Sequence, residues 1–180
     1  MITTAAPPEP VVVNPDAPWF RIRNMDLSPF PRWAGRLAFL NTLDPVGRVL
    51  DHRDGDPIPT LGAGPPIPMD YLAGDSLTPG PFGPFSGLVT HMWADRNTLW
   101  GEGVAEGPLA AALAENDALN VGVYLVDPTW QLRRSRRGRP IAAITTWRLA
   151  SVTVYAPGDR GAFRSATIHQ TSPDVKGLTR

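Results

Sequence analysis

A mainly β fold with one helix, built as a small barrel or sandwich with an extended N-terminal arm, is what this sequence predicts. Three observations carry the prediction. Short apolar stretches alternate with polar residues along most of the chain, one segment alone has helical composition, and proline and glycine punctuate the rest. With 180 residues, 42% hydrophobic and 19% charged, the chain has enough apolar surface for a real core and is too apolar for disorder throughout.

Residues 1–18 hold five prolines and few large apolar groups beyond Val11, Val12 and Val13, so they read as an extended arm. Two readings of that arm stay open, a solvated tail and a segment that orders only against a partner. A β-rich domain follows over 19–170, and a polar tail over 171–180. Trp19-Phe20-Arg21-Ile22-Arg23 alternates like a half-buried strand, and 36–40 and 47–51 are apolar enough for two more. Residues 54–84 are so dense in proline and glycine that they predict a surface loop without a central strand.

The second half is more regular. Segments 87–93 and 98–104 flank the polar Ala94-Asp95-Arg96-Asn97, which predicts a β-hairpin. Pro108 to Leu119 is the one helix, with proline in its first turn and Leu109, Leu113 and Ala112 on one face. A strand over 120–126, a basic turn over 133–139, one long or two short strands over 141–155, and a last strand or short helix over 162–168 complete the expectation.

Composition narrows the function classes. The formal net charge is zero, so no global attraction to nucleic acid or to an anionic membrane is expected, although local patches remain. There is no cysteine and only three histidines, His52, His91 and His169, which leaves thiolate chemistry out and supplies a zinc site poorly; no metal and no cofactor are expected. No run approaches the roughly 18 apolar residues of a membrane span, and the N-terminal residues lack the basic and apolar regions of a secretory signal.

Four sets of residues invite a chemical reading. No serine sits in a Gly-x-Ser-x-Gly elbow, and the weak candidates for a serine nucleophile with its base are Ser86 or Ser151 with His91, or with His52. The knot Asp51-His52-Arg53-Asp54-Gly55-Asp56 faintly resembles a calcium loop, but Pro57 interrupts it and no glutamate follows at the right distance, so a solvated turn is expected. Arg133, Arg134, Arg136, Arg137 and Arg139 fall within seven residues; they read either as a solvated hairpin tip or as a contact with phosphate or an acidic partner. Of the six tryptophans, most are expected to build core, and Trp19 and Trp33 are candidate interface anchors.

From Gly47 to Ile168 the order of parts resembles the prohead (capsid maturation) proteases of tailed phages. The matching pieces are Pro66-Ile-Pro-Met-Asp-Tyr71, Ser86-Gly-Leu-Val-Thr90, the return strand Leu99-Trp-Gly-Glu-Gly103, the alanine-rich helix, and Leu119-Asn-Val-Gly-Val-Tyr-Leu125. The most specific block is Trp147-Arg-Leu-Ala-Ser-Val-Thr-Val-Tyr155 ahead of Ala162-Phe-Arg-Ser-Ala-Thr-Ile168. The resemblance implies an assemblin-like barrel. It places the family's nucleophilic serine at Gly122 and its histidine among Leu72, Ala73, Gly74 and Asp75, so both chemical groups are missing here. The implied function is a non-catalytic virion protein of the minor capsid or decoration type, made in the bacterial cytoplasm and held in the phage head by the major capsid protein or another virion protein. Self-association and a nucleic-acid contact through the basic loop stay open. An active maturation protease with displaced residues and an unrelated β-rich binding module are the alternatives.

Overall fold

The computed structural model describes residues 25–45, 47–62, 64–72, 85–135, 137–159 and 166–171. Their strands are β1 (Arg32–Phe39), β2 (Arg48–Leu50), β3 (Ile67–Leu72), β4 (Gly87–Asp95), β5 (Thr98–Ala105), β6 (Leu119–Arg134), β7 (Pro140–Tyr155) and β8 (Thr167–Thr171), with helix α1 (Gly107–Glu115) between β5 and β6. The strand order β7-β3-β4-β5-β1-β8-β6 returns to β7 through the β6–β7 pairing, so seven strands close a barrel. The eighth, β2, lies outside the ring and runs parallel to Ala142–Ile144 of β7.

Alternation along the strands fills the interior with Trp33, Leu37, Met69, Val89, Leu99, Val121, Leu149, Val152, Val154 and Ile168. The phase of that alternation changes in β7 between Leu149 and Val152. Tyr124 pairs with Ser151 but Leu125 with Leu149, so Ala150 is an extra residue in a bulge that keeps both valine and leucine facing inward. Strands approach so closely that a Cβ at Gly103 would lie 1.9 Å from the Leu88 carbonyl oxygen, which excludes any side chain there. On the outside of β4 and β5, Met25, Leu27, Phe30 and Phe85 cover Leu88 and Val104 as a small second cluster.

The structure departs from the sequence expectations at four places. A central strand, β3, lies within 54–84. It pairs with β4 over Ile67–Met69 and with β7 over Met69–Leu72. The Met69 carbonyl accepts from Ser86 N–H (2.9 Å), which turns the nitrogen of Pro68 toward the opposite edge. The β3–β7 ladder begins at Met69, so Pro68 lies just before it and its missing donor interrupts no pair of that ladder.

Helix α1 ends at Glu115 rather than Leu119. Asn116 is extended, and both its backbone N–H (3.1 Å) and its Nδ2 (2.7 Å) donate to the Ala112 carbonyl, which caps the last turn. The expected inward face, Leu109, Ala112 and Leu113, is the buried one. In the β4–β5 hairpin, Ala94 and Asp95 belong to the strand, leaving Arg96 and Asn97 as the turn with Arg96 at φ 52°.

Most consequentially, β6 does not stop at Val126 but continues to Arg134, and β7 is one strand of 16 residues. Residues 1–24 and 172–180, and with them the N-terminal arm, the strand expected at 19–23, Trp19 and the C-terminal tail beyond Thr171, lie outside the described residues, as do Ala162 to Ser165.

Candidate binding surface on the β6–β7 arm

The outer halves of β6 and β7 run on together beyond the closed ring as an arm, with the short β2 alongside β7 at Ala142–Ile144. The departure is written locally: Asp127 takes φ 49°, Pro128 offers no donor, and the β6–β7 register shifts between Val126 and Thr129 and again before Trp130. From Trp130 the pairing is regular, Trp130 opposite Ile144, Leu132 opposite Ala142 and Arg134 opposite Pro140. Every residue from Asp127 to Arg134 is exposed. Trp130 and Leu132 keep 70% and 82% of their surface in solvent, the largest exposures among the big apolar residues described. The tip is a tight turn in which Ser135 N–H donates to the Arg139 carbonyl (2.8 Å), Arg139 N–H donates to Ser135 Oγ (3.0 Å) and Gly138 takes φ 76°.

Two ion pairs brace the arm. Arg133 Nη1 lies 2.7 Å from Asp51 Oδ2, and Arg148 pairs with Asp127. At the base the Thr129 hydroxyl bonds those of Thr145 and Thr146. Between that base and the loop after β2 lies a cleft of about 620 Å³ lined by Asn41, Asp51, His52, Arg133, Thr145 and Trp147 among others. Asn41 clamps His52 through its backbone, accepting from the N–H (3.0 Å) and donating to the carbonyl (2.8 Å). Trp147 Nε1 donates to the Asp51 carbonyl (2.8 Å), and His52 Nε2 is buried without a hydrogen-bond partner. The cleft therefore offers polar contacts, and among the described residues no hydrogen bond joins a threonine hydroxyl there to His52 Nε2.

The candidate serines and histidines are distributed over different elements. His91 is exposed on β4, its Nδ1 3.6 Å from Glu102 Oε1 and its ring against Trp93. Ser86 precedes β4, with its backbone bonded to Met69 and Glu106. Ser151 on β7 shares a hydrogen bond with Asp70, whose carboxyl is pushed up by burial and pulled back in part by that bond. No hydrogen bond among the described residues joins a serine to a histidine. Gly122 lies opposite Thr153, and a Cβ there would sit 3.0 Å from the Tyr155 hydroxyl, so Tyr155 takes the space a side chain would need. Among the described residues no three His, Asp or Glu come together as metal ligands.

Trp33 requires a correction as an interface anchor. It has no exposed surface, and its Nε1 donates to the Val104 carbonyl (3.1 Å) inside the barrel. Strand alternation at Trp33-Ala34-Gly35 points it inward. Trp147 is core as well, Trp93 and Trp100 are half-buried neighbours across the β4–β5 pair, and among the described tryptophans Trp130 is the exposed one. Of the arginine cluster, Arg133, Arg134, Arg137 and Arg139 are all exposed on the arm, and Arg136 lies outside the described residues.

Family models, curated proteins and solved structures yield no match to this chain.

Sequence reasoning missed Trp130 and Leu132. The expected strand stops at Val126 and the basic turn begins at Arg133, so both residues fall between them; the available signal was Asp127-Pro128, which marks where the strand bends off the barrel.

Proposed function

We propose that the chain is a non-catalytic virion protein of a phage head, of minor capsid or decoration type, that attaches to the capsid shell through the β6–β7 arm. Its barrel is, on this reading, a divergent form of the prohead-protease barrel. The observation that supports attachment is the arm itself: exposed Trp130 and Leu132 beside exposed arginines, on a strand that leaves the core. Aromatic, leucine and arginine side chains displayed together are costly to leave in water and suited to a protein contact. The absence of a nucleophile at Gly122 favours binding over proteolysis.

The test is to mix the purified chain with empty shells of the same phage's major capsid protein, in the presence of a serine-directed fluorophosphonate. Cosedimentation with no labelled serine is expected. Labelling of Ser86 or Ser151 would make the chain a maturation protease, and failure to cosediment would remove the shell as its partner.

A further inference from the structure

Building on the arm as the attachment element, we propose that the outer edge of β6, from Thr129 to Arg134, takes up an extended acidic segment of the partner as an added β-strand. One edge of β6 is used by β7 as far as Arg134. On its other edge, the described residues supply a partner only at Leu119 and Asn120, from β8. Among the described residues, the backbone donors and acceptors of Thr129–Arg134 on that side meet no strand, which is the template for strand addition.

Side chains on the arm supply the rest of a recognition surface. Registers across three strands align Leu50, Ile144 and Trp130 in one row and Arg48, Ala142 and Leu132 in the next. Paired residues share a face, so an added strand would extend an apolar strip with its alternate residues beside Trp130 and Leu132. Charge selects the partner. Among the described residues from Asp127 to Arg148 there are five arginines and a single aspartate, in a chain of zero net charge. Arg133 and Arg148 are occupied by Asp51 and Asp127, whereas no ion pair among the described residues ends on Arg134, Arg137 or Arg139. A second copy of this arm would bring like charges together, which disfavours self-pairing. Single-stranded nucleic acid would want successive stacking platforms, and from Thr129 to the tip Trp130 is the sole aromatic.

The experiment uses the intact chain and three probes: a synthetic peptide alternating valine and glutamate, the same peptide N-methylated at alternate backbone nitrogens, and an oligothymidylate of equal charge. Binding is followed by amide shifts in NMR. The valine–glutamate peptide is expected to move the amides of 129–134, and N-methylation to weaken it by about tenfold or more through lost backbone bonds. Equal binding of the N-methylated peptide, tighter binding of the oligonucleotide, or no binding of the first peptide would each overturn strand addition. The shell assay separates this from the attachment reading. If the peptide fails while Trp130→Ser with Leu132→Ser still abolishes shell binding, attachment stands and strand addition falls; if the peptide binds but shells do not, the shell is the wrong partner.

Discussion

Arg133 Nη1 sits 2.7 Å from Asp51 Oδ2, and this pair ties the outer half of β6 to the loop that follows β2. Asp51 is held in turn by its carbonyl, which accepts from Trp147 Nε1 at 2.8 Å. A solvated arm thus hangs on a side chain anchored by a core tryptophan. Both partners are partly exposed, so solvent screens the pair and Arg133→Ala should cost only about 0.5–1 kcal/mol. Its larger effect should be local. Amide exchange from Trp130 to Ala143 should speed up in the variant while the barrel amides keep their protection, because only the brace is lost.

Exposure separates the tryptophans into two kinds, and substitution should show it. Trp130→Ser with Leu132→Ser removes groups that contact mostly water, so unfolding free energy should change by no more than about 0.5 kcal/mol. Trp33→Ala empties the centre of the barrel and removes the Nε1 bond to the Val104 carbonyl, and should cost about 3–5 kcal/mol. Denaturant titration of both variants checks the contrast.

Gly122→Ser places an oxygen where the resemblance to maturation proteases expects one. The new Cβ would press on the Tyr155 hydroxyl at 3.0 Å, and moving that ring should cost about 1–2 kcal/mol. No fluorophosphonate labelling should follow, since a hydroxyl without an adjacent base is not activated. Labelling at this position would place a base beside it.

Burial raises the Asp70 carboxyl above its ordinary value of 3.8, against a smaller lowering by the Ser151 bond. A raised acid binds its proton more tightly when folded. Its contribution is therefore fully favourable below the ordinary value and is lost as pH rises through the folded one. Asp70→Asn removes that loss. The variant should melt higher than the parent at pH 7, by at most about 1 kcal/mol because the site is partly solvated, and match it at pH 3.

Much of the barrel was legible in the residues because each element is locally consistent. The β4–β5 hairpin and the helix face of Leu109, Ala112 and Leu113 follow from alternation and helical spacing. Where the reading failed, a tertiary partner decided. Pro68 is accommodated because β3 meets β7 only from Met69 onward, a register that local sequence does not contain. Trp130 and Leu132 carry the pattern of buried strand residues, yet no described element covers them once β6 bends away at Asp127 and Pro128. The arginines announced a basic tip, and the surface beside them needed the fold.

Cosedimentation of the parent chain and of the Trp130→Ser, Leu132→Ser variant with capsid shells tests the central claim most directly, because the two proteins should be equally stable. Saturable binding by the parent, weakened by about tenfold or more in the variant, is the predicted result for a contact centred on these two side chains. Equal binding by both proteins would contradict it and place the attachment surface elsewhere on the barrel.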